Sequence, residues 1–235
     1  MNSKTIQPTT AQNSRSAWQR ARRPTEIAAR RKAILDAARG LLDEEGIEAA
    51  TLSEIARSAG LSKASCYRYF ETREAILLEI AIEEVRGWAD ELVDRLAPLT
   101  GNRDIDGTAR AFAAVTNNRE RFCVLLSSLS MVLERNVGET AILQFKRRFN
   151  SIAFETATAT KAVLPDLSSA QLELFMRFLA AAIAGTWPAA NPAPIVAGVM
   201  EREEFRAVRS SFEDALFDYC RLMLIGLHKE ASRET

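Results

Sequence analysis

The chain has 235 residues, of which 47% are hydrophobic, so it can bury the core of one large domain or of a small domain joined to a larger one. Lysine and arginine together number 31, and so do aspartate and glutamate, which means that the overall charge indicates neither an acidic nor a basic partner. Because the sequence has no run of about 18 apolar residues and no apolar signal segment at its N-terminus, we expect a cytoplasmic protein without a membrane partner.

Residues 1–24 are rich in Ser, Thr, Gln, Asn and Arg and offer few apolar side chains to bury, so we predict a disordered basic arm. From Met1 to Lys32 eight cations stand against one anion, which leaves a net charge of +7 that the rest of the chain balances. The segment is either a solvated tail or an arm whose arginines contact DNA phosphates or the minor groove.

Apolar residues at helical spacing predict a first helix from about Thr25 to Glu45, which Gly46 would end. The residues on its apolar face are Ile34, Ala37, Ala38, Leu41 and Leu42. This helix would support the segment that follows.

The segment from Thr51 to Phe70 has the pattern of a helix-turn-helix. Thr51 can cap a helix, with Glu54 reaching back to the cap in a capping box. Gly60 follows the last periodic residue, where a left-handed backbone ends the helix. Ser62 can cap a second helix over residues 63–69, and the short turn between the two helices is typical of the motif.

The second helix has an unusual polar face. Lys63, Ser65, Tyr67, Arg68 and Tyr69 offer cations, a hydroxyl and two phenols. Cations and hydroxyls suit phosphate oxygens, and polar or aromatic tips suit base edges in the major groove. The alternative is an ordinary helical hairpin with a solvated face, which leaves exposed tyrosines unexplained.

The residues from Gly60 to Phe70, Gly-Leu-Ser-Lys-Ala-Ser-Cys-Tyr-Arg-Tyr-Phe, and the segment Thr72–Ile76 resemble the DNA-binding signature of TetR-family transcriptional regulators. The resemblance covers roughly Ala33 to Leu78. It implies an all-α fold, in which a three-helix DNA-binding head over residues 25–71 is followed by a long fourth helix. That helix opens an all-helical regulatory and dimerisation body over residues 72–235.

The resemblance also assigns DNA contacts on or beside the motif. Cys66 departs from the family pattern, which usually has a larger apolar residue there. The positions that match the family's contacts, together with the neighbouring cation Arg68, are Thr51, Lys63, Ser65, Tyr67, Arg68, Tyr69 and Arg73.

After the motif, Thr72 can cap a long helix that continues to about Leu96. Its length of about 24 residues corresponds to about 36 Å. The apolar stripe consists of Ile76, Leu77, Ile80, Ala81, Val85, Trp88, Leu92 and Leu96.

Three further amphipathic helices are predicted between Asp104 and Val163, with breaks near residues 117–118 and near Gly138. The resemblance implies a small-molecule pocket in this region, although most of its apolar residues would simply be core. Arg147 and Arg148 could bind an anion or form an exposed charged face. The candidate pocket residues are Trp88, Phe112, Phe122, Leu126, Phe145, Phe149 and Met176.

Another helix should start at Ser168 or Ser169, and we predict that residues 187–194, Trp-Pro-Ala-Ala-Asn-Pro-Ala-Pro, are not helical. This segment resembles a connection found in one subgroup of TetR-like regulatory domains. A last helix would run from about Phe205 to Leu227. The two helices would form a dimer interface or be buried within one chain; the candidate interface residues are Leu172, Phe175, Leu179, Ile183, Phe212, Leu216, Tyr219 and Met223.

The leading hypothesis is a homodimeric, ligand-responsive repressor that binds a palindromic DNA operator. An enzyme is disfavoured because no catalytic constellation or Gly-rich phosphate loop is present. The three cysteines are far apart in the sequence and far from the single histidine, His228, so we expect no disulfide framework, no metal site and no cofactor. The alternative is a helical ligand-binding or protein-interaction module that does not bind DNA specifically.

Overall fold

A computed structural model describes residues 10–129 and 133–231, and every regular element within these ranges is a helix, which confirms the all-α fold class. Internal contacts divide the chain into a head unit, Met1–Ile76, and a body unit, Leu77–Thr235. The division falls inside the fourth helix. The first four helices are α1 (Thr10–Glu45), α2 (Leu52–Ser58), α3 (Lys63–Cys66) and α4 (Arg73–Leu96).

Helix α1 begins at Thr10, well before the predicted start at Thr25, and it ends as predicted at Glu45. Gly46 follows with a φ of 84°. The predicted disorder of the arm therefore disagrees with the structure over residues 10–24, and its first nine residues lie outside the described ranges. Alanine, glutamine and arginine recur in the arm and are good helix formers, and extending a helix costs less than nucleating one.

The turn between α2 and α3 is a Schellman motif. Gly60 has a φ of 67°, as predicted, and its N–H donates to the Arg57 carbonyl. The N–H of Leu61 donates to the Ala56 carbonyl at 2.8 Å. These two bonds satisfy carbonyls that the end of α2 would otherwise leave unpaired, and they fix the direction in which the chain enters α3.

Both motif helices have the predicted N-caps, since Thr51 Oγ1 accepts from the Glu54 N–H at 3.2 Å and Ser62 Oγ accepts from the Ser65 N–H at 3.1 Å. The reciprocal half of the predicted capping box is wrong. The N–H of Thr51 donates to the Ala49 carbonyl, and the Glu54 carboxylate bonds to the Arg57 side chain at 2.7 Å instead. A nearby cation is a stronger partner for a carboxylate than the cap amide is.

Helix α3 is shorter than predicted, ending at Cys66 and not at Tyr69. After Cys66 the backbone tightens, because the N–H groups of Arg68 and Tyr69 donate to carbonyls three residues earlier. Phe70 then restores a bond to the Cys66 carbonyl at 3.2 Å. The segment therefore keeps a helical course through residues 67–69, with side chains closer to threefold spacing.

The head core consists of apolar residues from all four helices and their connections. Cys66, the departure from the family pattern, is fully buried in it, so a small side chain fits this position. The other buried members include Ile34, Leu35, Ala38, Leu41, Leu42, Ala50, Leu52, Ile55, Ala56, Phe70 and Ile76.

The long fourth helix is confirmed. Thr72 Oγ1 accepts from the Ala75 N–H at 3.1 Å at its start, and the helix ends at Leu96. Every residue of the predicted apolar stripe is buried. In the body, α4 is joined to the region around α6 by ion pairs between Glu84 and Arg121 at 2.5 Å and between Glu91 and Arg119 at 2.9 Å.

The predicted breaks in the body are also confirmed, with a helix ending at Asn117 and another starting after Gly138. Ser168 forms a complete capping box with Gln171 at the start of α8. The helices of this part are α5 (Ile105–Asn117), α6 (Glu120–Ser128), α7 (Glu139–Val163) and α8 (Ser169–Ala190).

The C-terminal part differs from the prediction in two ways. Helix α8 continues through Pro188 to Ala190, and Pro194 begins another helix, α9 (Pro194–Met200). A proline removes a single hydrogen bond near a helix end and fits well at the first helical position, so neither proline prevents a helix here. The predicted last helix is split into a 3₁₀ segment, Glu203–Val208, and α10 (Phe212–Ala231), which Ser211 caps.

Candidate DNA-binding surface and ligand cleft

The outer face of α3 and of the turn after it carries four exposed residues, Lys63, Ala64, Tyr67 and Arg68. They follow helical spacing, so they form one continuous face. Tyr67 is 51% exposed although it is a large aromatic residue. Among the residues that the structure describes, neither Lys63 nor Arg68 has an ion pair or a side-chain hydrogen bond. This face therefore offers an exposed phenol and two cations that have no partner in the described part of the chain.

The inner face of the same segment is anchored by Cys66 and Phe70, which are buried. Arg31 of α1 strengthens the anchor in two ways. Its Nη1 donates to the Tyr69 carbonyl at 2.9 Å, and its guanidinium lies 4.2 Å from the centroid of the Phe70 ring. Arg31 thus holds the end of the recognition segment.

The role of Arg31 was not predicted, because we counted it only as part of the basic N-terminal region. A signal was available in the sequence. Arg31 is three and seven residues before Ile34 and Ala38, so it lies on the apolar face of α1. A cation in line with an apolar stripe indicates a specific partner.

Hydroxyl groups flank the exposed face. Ser65 is half-buried, and its Oγ accepts a hydrogen bond from Ser62 Oγ at 3.0 Å, so its own proton remains available. Thr51 is exposed, and its oxygen caps α2 while its proton can still be donated. Tyr69 is half-buried. Thr51 is thus accessible from solvent, and Ser65 and Tyr69 are partly accessible.

Arg73 is the predicted contact that the structure places differently. Its guanidinium donates to the Ile47 carbonyl and lies 3.9 Å from the Glu74 carboxylate, and its side chain is 17% exposed. Within the described ranges, its Nε is the buried side-chain nitrogen that has no hydrogen-bond partner. These contacts tie the start of α4 to the chain that precedes α2.

In the body, the structure brings together five of the seven predicted pocket residues. They line an inner cavity of about 30 Å³ among α4, α6, α7 and α8. Phe112 and Phe145 do not line it: Phe112 packs edge-on against Phe175 at 5.0 Å, and Phe145 packs against Phe149 at 5.8 Å. The five lining residues are Trp88, Phe122, Leu126, Phe149 and Met176.

A larger cleft of about 530 Å³ lies between α7 and α8. It shares part of its wall with the inner cavity. Its residues are Phe149, Asn150, Ala153, Phe154, Glu173, Met176, Arg177 and Ala180. Arg147 and Arg148 do not line this cleft. Both are exposed on α7, in agreement with the exposed charged face that was the alternative to an anion site.

Most of the predicted interface residues are buried within the chain, which is the alternative that the sequence left open. The apolar stripes of α8 and α10 face the core of the body, so the six residues Leu172, Phe175, Leu179, Ile183, Phe212 and Leu216 are covered. Tyr219 is exposed and Met223 is half-buried. The large apolar residues that these two helices leave exposed are the predicted Tyr219 together with Phe178 and Leu222, which were not predicted.

The three cysteines are free and buried. Desolvation raises the pKa of the Cys66 thiol, and it raises the pKa values of Cys123 and Cys220 to about 12 each. They are therefore thiols at neutral pH and not nucleophiles. Among the described residues, no group of three His, Cys, Asp or Glu side chains is placed to hold a metal ion, and no helix there is long and apolar enough to cross a bilayer.

A head with a helix-turn-helix and an exposed cationic face, in a chain whose C-terminal unit is all-helical, defines the class of helix-turn-helix regulators. Two family models match the chain. The model described as bacterial regulatory proteins, tetR family, matches residues 34–80. The model described as the tetracyclin repressor-like C-terminal domain matches residues 82–231. The chain therefore belongs to the TetR family of transcriptional regulators.

Individual relatives agree with this assignment. An uncharacterised helix-turn-helix-type regulator of Mycobacterium tuberculosis is 41% identical over 80 residues, which cover 34% of this chain and 38% of that protein. The repressor KstR2 of Rhodococcus jostii is 33% identical over 91 residues, covering 39% of this chain and 42% of that protein. The matches thus span about two fifths of the length of these relatives.

Among solved structures, the repressor FadR of Thermus thermophilus, in complex with lauroyl-CoA, has the same fold. The TM-score is 0.53 at 20% sequence identity, and the match covers 84% of this chain and 94% of that one.

Proposed function

We propose that this protein is a transcriptional repressor in the cytoplasm that binds a palindromic operator as a homodimer and releases it when a small molecule binds the body. The observation that carries the proposal is the exposed face of Lys63, Tyr67 and Arg68. Its two cations have no ion pair or side-chain hydrogen bond among the described residues, and the phenol beside them is 51% exposed. DNA supplies phosphates for the cations and base edges for the phenol.

Within this proposal, each predicted contact has a physical role. Lys63 and Arg68 bind phosphate oxygens or guanine edges, and Tyr67 contacts base edges or a thymine methyl in the major groove. The hydroxyls of Thr51 and Ser65 donate to phosphates. Tyr69 is half-buried, as Ser65 is, and in this proposal it contacts DNA at the edge of the surface.

Arg73 acts mainly as a positioning residue in this proposal. Its bond to the Ile47 carbonyl holds the segment before α2 in place, and Thr51 follows four residues later. A substitution of Arg73 would therefore weaken DNA binding indirectly, by displacing Thr51.

Dimer formation would place two recognition segments about 34 Å apart, in successive major grooves. The exposed side chains on α8 and α10 support pairing through these helices. Phe178 is 51% exposed, Leu222 is 65% exposed and Tyr219 lies on the same helix as Leu222. Burying three large apolar residues in each chain would stabilise a dimer by the hydrophobic effect.

Ligand response is supported by the cleft and the inner cavity, whose residues Val85 and Trp88 belong to α4. The same continuous helix begins in the head unit at Arg73. A ligand shifts the protein only if it prefers the conformation that binds DNA poorly. Repression is proposed because it is the named role of the relative KstR2.

Replacing Tyr67 by Ala tests the DNA-binding surface. The phenol is exposed, so we expect the fold to persist while the free energy of operator binding weakens by about 1–3 kcal/mol, or roughly fivefold to 150-fold in affinity. Fluorescence anisotropy with a labelled operator duplex measures this. Leu143→Ala in α7 removes an exposed apolar side chain of the body that lies outside the cleft and outside the proposed dimer surface, so it should leave operator affinity unchanged. Unchanged affinity of Tyr67→Ala would remove the outer face of α3 from the DNA contacts.

A further inference from the structure

The cleft and the inner cavity of the body are two adjoining compartments. They share Phe149, Ala153, Met176 and Ala180 in their walls. The cleft, at about 530 Å³, has the size of a small-molecule site, whereas the cavity, at about 30 Å³, holds little more than one small group. Because Met176 belongs to both walls and has three rotatable bonds, a change of its rotamer alters both compartments together.

The side of the inner compartment that is formed by the indole of Trp88 has no hydrogen-bonding group left for a ligand. Trp88 stacks on Phe122, with ring centroids 5.4 Å apart and an angle of 8° between the planes. Its Nε1 donates to Thr116 Oγ1 at 3.0 Å, and that hydroxyl in turn donates to the Phe112 carbonyl at 2.6 Å. A polar atom entering here would lose its bonds to water without replacement, so the compartment accepts only apolar atoms.

The rim of the cleft is polar but balanced in charge. It carries Asn150, Glu173 and Arg177, which are all exposed. Glu173 and Arg177 are four residues apart on α8, a spacing at which such residues often pair. In the described part of the chain neither has an ion pair, and Asn150 has no side-chain hydrogen bond. The rim thus offers one cation, one anion and one amide to a ligand.

The wall between rim and cavity is aromatic and unusually exposed. Phe154 is 60% exposed at the cleft, and Phe149 continues the wall inward. Large aromatic side chains left in water at a concave site favour a ligand that covers them with apolar surface. A compact polar ligand would leave this wall wet and would place hydrogen-bonding groups where none can be satisfied.

We propose that the effector is an unbranched amphiphile with an uncharged polar head group. Its chain lies on Phe154, Phe149 and Met176 with its end directed toward the inner compartment, and its head group is held by the rim. An uncharged head group is favoured because a charged one would be attracted by one of Glu173 and Arg177 and repelled by the other, so its charge would bring little net gain. The proposal rests on the proposed function, because an effector presupposes regulated DNA binding.

A ligand bound with its chain end toward the inner compartment can contact α4, the helix that begins in the head unit. Val85 and Trp88 of α4 line the inner compartment, so a chain end that enters it contacts α4 directly. A chain too short to reach the compartment contacts only α7 and α8. Chain length therefore controls both the affinity and the response.

Calorimetric titration of the full-length protein with hexanamide, octanamide and decanamide tests the chain. We expect the Kd to fall by about fifteenfold for each added pair of methylenes, because each buried methylene contributes about 0.8 kcal/mol. Octanoate and octylammonium, with comparable chains, should bind about threefold more weakly than octanamide, since exposed charges interact modestly. Absence of saturable binding, or an affinity independent of chain length, overturns the proposal. A charged head group that binds more tightly than the amide overturns the uncharged head group.

Two substitutions locate the site. Ala153→Leu fills the shared wall and should raise the Kd for octanamide about fifteenfold, the equivalent of burying two methylenes fewer. Ala162→Leu, on an exposed position of the same helix outside the cleft, should bind like the wild type. Phe154→Ser changes an exposed residue and so preserves the core, and it should weaken binding as well. Wild-type affinity in both Ala153→Leu and Phe154→Ser places the amide elsewhere and overturns the assignment.

The effector role is measured separately from DNA binding itself. Octanamide should lower the affinity of the protein for its operator duplex, and decanamide should lower it further. If the duplex is bound but the amides are not, the amphiphile proposal fails and the repressor function stands. If the amides bind in the cleft without changing DNA affinity, the effector role fails. If no duplex is bound with or without amides, the proposed function fails.

Discussion

Arg31 shows how one side chain can set the geometry of a surface that it does not belong to. Its guanidinium bonds to the Tyr69 carbonyl and lies against the Phe70 ring, at the end of the recognition segment. Arg31→Gln removes a charge-assisted hydrogen bond of about 1.5–3 kcal/mol, so we expect operator affinity to fall about tenfold. The salt dependence of binding should not change, because Arg31 acts through the position of Tyr69 and Tyr67.

Arg30→Gln is the matched control for this substitution, since Arg30 is exposed and carries the same charge on the same helix. It should cost less affinity and should flatten the salt dependence if Arg30 contacts a phosphate at all. Equal losses of affinity in the two variants would show that Arg31 contributes only its charge.

For Lys63, in contrast to Arg31, we expect the salt dependence of DNA binding to change. Lys63 is exposed at the start of α3 and has no partner in the described part of the chain, so its proposed role is a phosphate contact. Lys63→Gln should weaken binding to all duplexes alike and reduce the slope of log K against log salt by about 1. Filter or anisotropy titrations at several salt concentrations measure this slope. Lys229→Gln, at the exposed end of α10, controls for the loss of one charge, and an unchanged slope in Lys63→Gln would remove Lys63 from the phosphate contacts.

At the scale of elements, substitutions of two glycines distinguish the cost of a left-handed backbone from the gain in helix propensity. Gly60 has a φ of 67°, and a Cβ there would meet no atom within 4 Å, so Gly60→Ala is opposed only by the left-handed backbone. We expect it to destabilise the head by about 1 kcal/mol. Gly40 lies inside α1 with equally open space, so Gly40→Ala should stabilise the head by about 0.5–1 kcal/mol. Thermal unfolding followed by circular dichroism measures both changes in stability. A stabilising effect of Gly60→Ala would contradict the Schellman turn.

Local signals explain which elements the sequence could predict. Thr51, Gly60, Ser62 and Thr72 each act within three or four residues of themselves, so the boundaries of α2, the start of α3 and the start of α4 follow from chemistry that the sequence contains. The end of α3 did not follow, because no residue marks the point where four-residue bonds change to three-residue bonds. The prediction that residues 187–194 are not helical was wrong because of Pro188 and Pro194. The free-energy cost of a proline depends on its position within the helix, and the sequence alone did not show where these helices begin and end.

Of the candidate sites, too, only part could be predicted from local signals in the sequence. The exposed face of α3 was predictable because helical spacing alone places Lys63 and Tyr67 on one side. The interface residues on α8 and α10 were not, since an apolar stripe shows that one face is buried but not what covers it. Leu179 and Leu216 are covered by their own chain, whereas the residues left for a partner, such as Leu222, lie outside the stripe.

At the scale of the whole molecule, the exposed faces of α8 and α10 predict how two chains pair. Leu222→Glu places a charge at a position that is 65% exposed in one chain and would be buried in the dimer. We expect the protein to become monomeric in sedimentation equilibrium and to lose most of its operator affinity, because two half-sites are then bound independently. Phe154→Glu changes an equally exposed aromatic residue on α7 and should leave the dimer intact. A dimer that persists in Leu222→Glu, and also in Phe178→Glu, would move the interface to another surface.

Selection of bound sequences from a random duplex pool by the full-length protein tests most directly whether it is a dimeric operator-binding regulator. The expected winner is a palindrome with half-sites about 34 Å apart, which is bound with a steep salt dependence and which Tyr67→Ala binds more weakly. Enrichment of no sequence, with weak binding that Tyr67→Ala leaves unchanged, would contradict the assignment of α3 as a recognition helix. The protein would then be a helical ligand-binding module without specific DNA recognition.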